Sequence, residues 1–168
     1  MLKASIDLGT NSCLLLIAEV ESRCVNKVLG DYASIIRLGE GVDKTRYLQP
    51  EAIERTLKCL DEYRKIISTA GILPGDVICV ATSQARDAEN GSEFFARVEA
   101  ELGFGFRVIS GKDEAGLSFK GSLLPNMQAS NQVVIDIGGG STEFVTTNEG
   151  RSIDLGSVRF TERYLKSD

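Results

Sequence analysis

VVIDIGGGSTE, residues 133–143, runs three apolar residues into Asp136, continues through Ile137 to Gly138, Gly139 and Gly140, and closes on Ser141, Thr142 and Glu143. A buried strand that ends in an acid and opens into glycines is suited to holding a phosphate. Glycine admits positive φ, so that successive N–H groups can converge on one anion, and the missing Cβ atoms allow close approach. The flanking carboxylates would repel that anion unless a divalent cation lies between them, and oxygen donors of this kind suit Mg²⁺. An ordinary glycine-rich hairpin turn is the competing reading of this stretch taken alone.

The pattern occurs twice. Ile6-Asp7-Leu8-Gly9-Thr10-Asn11-Ser12 repeats it at an offset of 129 residues, placing Asp7 on Asp136, Gly9 on Gly138 and Ser12 on Ser141. Internal similarity at that distance implies two related units, each presenting one acidic, hydroxyl-rich turn. Two such turns face to face would grip a phosphate chain from both sides.

The rest of the chain fits an α/β class. Residues 2–8 and 13–20 predict two strands joined by the first turn. Residues 14–18 are apolar on both faces, which suits a centrally buried strand. A third strand is expected over 25–32 and a loop over 39–49. Pro50 then opens a helix to about residue 70, with an apolar stripe at Ile53, Leu57, Leu60 and Ile67 interrupted by Arg64. A strand over 77–81, a polar turn over 82–91, and a helix over 92–102 burying Phe95, Val98 and Leu102 follow. A short strand at 106–109 leads to Ser110, which caps a helix to about 124. The polar segment 125–131 is the expected boundary between a first domain (1–125) and the beginning of a second (126–168). The second part contains strands over 133–136, 142–147 and 151–155 and an amphipathic helix over 158–165. With only about 40 residues it is too short to close its own core.

Composition narrows the chemistry. The 168 residues carry a net charge of −5, which argues against broad nucleic-acid binding but leaves room for local basic clusters around an anionic substrate. No stretch approaches the roughly 20 apolar residues of a membrane span, and the N-terminus does not read as a signal peptide. Cys13, Cys24, Cys59 and Cys79 show no CxxC spacing, and most read as small core residues of a cytoplasmic protein. There is no histidine, so a general base must come first from the carboxylates. Glu114 follows Asp113, which completes a capping-box-like helix start with Ser110; capping does not require Glu114, which is free to project into a cleft. Arg86 reads either as a surface partner of Asp87 or Glu89, or as a bidentate phosphate ligand. Arg151, Arg159, Arg163 and Lys166 form either a solvated face or the approach to a polyanion.

As a set, the segments ASIDLGTNS (4–12), IRLGEGVDKT (36–45), VATSQARDAENG (80–91), VISGKDEAG (108–116), VIDIGGGSTE (134–143) and LGSVRFTERYLKSD (155–168) resemble the exopolyphosphatase / guanosine pentaphosphate phosphohydrolase (Ppx/GppA) family. That family lies within the sugar kinase / heat-shock chaperone / actin superfamily. The resemblance implies paired ribonuclease-H-like domains, the second incomplete here, around a cleft that releases the terminal phosphate of polyphosphate or guanosine pentaphosphate with Mg²⁺. It implies that Glu114 is the catalytic glutamate and Arg86 an active-site arginine. Asp136 and Glu143 match the metal-site carboxylates, and Asp7, the counterpart of Asp136, is grouped with them. Gly9, Thr10, Asn11 and Ser12, and Gly138, Gly139, Gly140, Ser141 and Thr142, match the two phosphate-binding loops. Gln49 before Pro50 and Gly116 after Ala115 depart from the family pattern, and the sequence stops after the first helix of the second domain. That shortness supports a rival reading, a non-catalytic module that binds phosphates or forms a homodimer. An ATP-dependent sugar kinase would share the two turns but leaves residues 82–90 and 110–115 unexplained.

Overall fold

A computed structural model describes residues 1–22, 24–123, 128, 130 and 132–165. Most of the boundary stretch 125–131, and Lys166, lie outside the described residues. The first sheet has the order β3-β2-β1-β4-β5. Its strands are β1 (Leu2–Leu8), β2 (Ser12–Glu21), β3 (Cys24–Ile35), β4 (Val77–Ala81) and β5 (Phe106–Val108). β1 and β2 form a hairpin across the first turn, while β4 lies parallel to β1 and β5 parallel to β4. Parallel neighbours need crossover connections, and two helices supply them: α2 (Pro50–Thr69) before β4 and α4 (Gly91–Leu102) before β5. A short α1 (Val42–Thr45) precedes α2.

The two crossover helices cover the same face of this sheet. Ile6, Leu8, Leu15, Leu60 and Val98 meet there in one core. β2 is internal to the sheet, as its apolar run suggests, yet it is not buried on both sides: Leu15 is fully buried while Leu14 is 41% exposed on the opposite face. On α2 the inward stripe passes through Leu57, Leu60, Tyr63 and Ile67. Arg64 therefore does not break it; it lies one step round the helix, in solvent, paired with Asp61. In α4 the deeply buried ring is Phe94, with Phe95 and Leu102 only partly covered. The polar turn after β4 contains a short helix, α3 (Ser83–Asp87). Cys13, Cys59 and Cys79 are buried, Cys24 is exposed, and all four are free thiols. Burial pushes the Cys79 thiol up to about 11.

The second sheet, β6-β7-β8, is an antiparallel meander of β6 (Val134–Ile137), β7 (Thr142–Val145) and β8 (Gly150–Ile153). Helix α5 (Gly111–Ser122) lies across it, burying Ala115 and Phe119 against Val134 and Val145. By packing, the chain thus changes sheets between Ile109 and Gly111, ahead of the 125/126 division read from the sequence. The N-terminus of α5 is built as expected: Ser110 Oγ accepts the Asp113 N–H at 3.1 Å and donates to the Asp113 carboxylate at 2.7 Å.

After β8 the chain forms α6 (Ser157–Phe160) and a π turn, Thr161–Leu165. This segment is not the solvated basic face considered above. Arg159 is buried and ion-paired with Asp87, with Asp43 at 3.5 Å and with Asp154 at 3.5 Å. Arg163 binds both oxygens of Asp43, at 2.5 and 2.6 Å, and holds that carboxyl below the usual range. Glu162 accepts the Gly41 N–H at 3.1 Å. Together they fasten the segment after the second sheet to the loops of the first. Truncating Arg159 would leave Asp87 without its cation in a partly buried site. Arg159→Ala is expected to lower the unfolding free energy by roughly 3 kcal/mol, read from a urea titration, with Arg159→Lys recovering only part because an ammonium cannot fork among three carboxylates.

Candidate active site

The two turns superpose in their internal bonding. The Gly9 N–H donates to the Ser12 carbonyl at 2.9 Å, and the Gly138 N–H donates to the Ser141 carbonyl at 2.9 Å. Strand register repeats as well: Asp7 faces Leu14 and Leu8 faces Cys13, while Asp136 faces Glu143 and Ile137 faces Thr142. Every one of these pairs is related by the same 129-residue offset.

Both turns have their carbonyls tied from behind. Asn11 O accepts the N–H groups of Ile36 and Arg37 at 2.9 and 3.0 Å, and Thr10 O accepts that of Gly39 at 2.9 Å. Arg37 takes φ 49 there, a left-handed conformation rare for a side-chain-bearing residue. On the second turn, Gly138 O accepts the Ser157 N–H at 2.9 Å, and Gly139 O accepts those of Val158 and Arg159 at 2.9 and 3.1 Å. Among the described residues, the N–H groups of Thr10, Asn11, Gly139 and Gly140 donate to no backbone carbonyl. Donors without a backbone acceptor on two apposed turns are of the kind that suits an anion.

The turns touch. A Cβ built on Gly139 would stand 2.9 Å from Thr10 Cβ and 3.2 Å from Asn11 Cβ, and one on Gly140 would stand 2.7 Å from Thr10 Oγ1 and closer still to Ser83 Oγ. Close approach, rather than left-handed backbone, is what these glycines provide: positive φ among the described glycines falls at Gly41, Gly71 and Gly103. Ser83 Oγ lies 2.9 Å from Thr10 Oγ1. Ser141 is buried, and the Thr142 hydroxyl is committed to the Leu155 carbonyl, so Thr142 ties β7 to the segment after β8 and has no hydroxyl proton left for a phosphate.

Acids converge beside the turns. Asp7 opens onto the surface, but the surrounding protein raises its carboxyl above the usual range, and the neighbouring charge of Asp136 raises it further. The Glu114 carboxyl is pushed up to about 7, first by burial, then by Glu143, with Arg86 opposing and Asp7 adding. Arg86 Nη1 donates to the Ile109 carbonyl at 2.6 Å and to Glu114 Oε2 at 3.2 Å. Arg86 is therefore the partner of Glu114; Asp87 pairs with Arg159 and Glu89 accepts from the Tyr47 hydroxyl.

Two serines complete the arrangement, and neither stood out in the sequence. Ser118 Oγ donates to Asp136 Oδ2 at 2.6 Å, and Ser152 Oγ donates to Glu143 Oε1 at 2.7 Å. Ser152 packs against Gly111, where a Cβ would sit 2.8 Å from Ser152 Cβ and 2.9 Å from its Oγ. Gly111→Ala is expected to displace Ser152 and turn the Glu143 carboxylate. Overpacking of this kind costs about 1–3 kcal/mol, read as a lower melting temperature with the circular dichroism spectrum unchanged.

Among the described residues, no three Cys, His, Asp or Glu side chains are gathered tightly enough to enclose a metal by themselves. Asp7 is exposed and Asp136 half-buried with one oxygen on Ser118, whereas Glu143 is fully buried with one oxygen on Ser152. That donor set fits Mg²⁺, which keeps most of its waters and takes its remaining ligands from phosphate.

Apposed acid-and-glycine turns on two α/β units define the actin-like, sugar-kinase fold class. Within it, the sequence matches the Ppx/GppA phosphatase family over residues 16–168, and the chain belongs to that family. It is 47% identical over 98% of its length to a bifunctional 3-dehydroquinate synthase/phosphatase of Fusobacterium nucleatum, covering 26% of that protein. It is 34% identical over 99% of its length to a guanosine-5'-triphosphate,3'-diphosphate pyrophosphatase of Pseudoalteromonas atlantica, covering 34% of it. The crystal structure of an exopolyphosphatase from Cytophaga hutchinsonii aligns over the whole chain and 55% of its own, with a TM-score of 0.89 and 30% identity. The chain thus spans between a quarter and just over half the length of these relatives.

Proposed function

We propose that this chain carries the phosphate-handling half of a Mg²⁺-dependent phosphohydrolase that removes the terminal phosphate of polyphosphate or guanosine pentaphosphate. The observation that carries this reading is the Arg86–Glu114 contact at 3.2 Å, on a carboxyl that burial and the nearby charges of Glu143 and Asp7 raise to about 7. A base titrating near neutrality is matched to drawing a proton from water.

In this mechanism the free N–H groups of the two turns and the Thr10 hydroxyl receive the oxygens of the anion's end. Asp136 and Glu143, each with one oxygen fixed by a serine, and Asp7 would hold Mg²⁺, which supplies charge neutralisation when bound. Arg86 leans from Ile109 toward the same end of the cleft and orients either Glu114 or a phosphate oxygen. Glu114 takes the proton of the attacking water. Phosphoryl transfer asks chiefly for positioning and charge stabilisation, and these parts provide both.

A second reading is a binding module without turnover, favoured by a specific feature. Each sheet carries helices on one face only, and Leu14 and Ile78 on the first and Ile135, Ile137 and Phe144 on the second stay exposed. Phosphate release from polyphosphate and from guanosine pentaphosphate, measured on the 168-residue chain with Mg²⁺ and with EDTA, decides between them. Mg²⁺-dependent release that vanishes in Glu114→Gln supports the hydrolase. Binding of either polyanion without release supports the module.

A further inference from the structure

We propose that Ser118 is a positioning residue for the cation site, fixing the rotation of the Asp136 carboxylate from behind. The inference rests on the reading of Asp136 as a metal carboxylate. Its ground is a choice that the Ser118 hydroxyl makes. Thr45, Thr56, Thr69 and Ser122 each return their proton to the carbonyl four residues back, at 2.9, 2.7, 2.8 and 2.7 Å. That is the ordinary local outlet for a helical hydroxyl. Ser118 sits in the interior of α5 with the same outlet at Glu114 O, and instead sends its proton across to Asp136 Oδ2, on a strand of the second sheet, at 2.6 Å.

The placement gives that bond a purpose. Ser118 lies four residues after Glu114, so both project from one face of one helix. β6 is only four residues long and is paired on one side only, to β7. A carboxylate on such a strand has little else to stop it turning about its terminal torsion. Ser118 takes one oxygen and leaves the other as the single free ligand, at a distance from Glu114 set by one turn of α5. Groups that orient a ligand in this way are worth about 10–100-fold in metal affinity.

The test is a titration of Mn²⁺, as a paramagnetic stand-in for Mg²⁺, into the protein without substrate, followed by electron spin resonance and calorimetry. Ser118→Ala is expected to weaken Mn²⁺ binding about tenfold, while Ser118→Thr, which keeps the hydroxyl, stays within about threefold of the unaltered protein. Melting temperatures of the three proteins establish that each is folded at the titration temperature; if Ser118→Ala is not, Ser118→Cys, a far weaker donor of similar size, takes its place with the same expected loss. Equal Mn²⁺ affinity in the unaltered protein and the alanine or cysteine variant overturns the role of Ser118 and leaves the cation site standing. No Mn²⁺ binding by the unaltered protein overturns the cation site, and the role of Ser118 with it.

Discussion

Glu114→Gln is expected to lower turnover by about 10²–10⁴-fold while changing substrate binding little. Glutamine keeps the shape and still meets Arg86, so the turns and the carboxylates beyond them stay in place; what it lacks is an acceptor for the proton of water. The pH profile of the unaltered protein carries the same signature. Glu114 acts as a base only when ionised, so activity should climb with a midpoint near pH 7, the value to which burial and Glu143 raise it. Stability moves in the opposite sense. The unfolded chain releases this proton near its ordinary 4.5, whereas the folded protein holds it to about 7. Across that window the native state binds more protons than the unfolded one, so the unfolding free energy falls as pH rises. Glu114→Gln removes that decline and should be the more stable protein above pH 7. A variant that kept full turnover, or that melted below the parent at pH 8, would remove Glu114 from the role of base.

Gly156→Ala is expected to lower turnover by about 10²-fold by a different route. A Cβ at this position would collide with the carbonyl carbon and oxygen of Gly139 and lie 2.5 Å from the Gly140 nitrogen. All three are backbone atoms of the second turn, so no side chain can swing aside. Either α6 retreats, loosening the bonds from Ser157 and Val158 to the Gly138 and Gly139 carbonyls, or the turn itself moves toward Thr10. Overpacking of this kind costs about 1–3 kcal/mol, and displacing the turn by an ångström lowers the rate about 10²-fold. Thermal melting and phosphate release measured together check both. Near-normal turnover would mean that the N-terminus of α6 does not hold the turn.

The features that a linear reading captured are those written in short range or in repetition. The 129-residue duplication anticipated two similar turns, and the structure adds matched hydrogen bonds and strand register, because one local sequence folds locally the same way twice. The Ser110 cap and the Pro50 helix start are likewise contained within a few residues. What escaped were contacts joining distant segments. Gly156 is defined by Gly139, Ser118 by Asp136, and Arg159 by Asp43 and Asp87, 116 and 72 residues away. No periodicity reports such meetings. The helix stripe erred for a geometric reason: with steps of three and four both allowed, Tyr63 and Arg64 fit a pattern equally, and only the sheet beneath α2 selects Tyr63. Of the two properties read for the glycines, close approach is what the structure uses, here between the turns, while positive φ falls at Gly41, Gly71 and Gly103 among the described glycines.

The duplicated hairpins differ at one telling place. Across from Asp7 stands Leu14, and across from Asp136, at the same register, stands Glu143. The first hairpin therefore sets an acid beside a half-exposed apolar side chain, and the second sets two acids side by side, with Glu143 buried. The pseudo-symmetry of the frame is not shared by its chemistry. The duplicated backbone thus carries one carboxylate at this register on the first hairpin and two on the second.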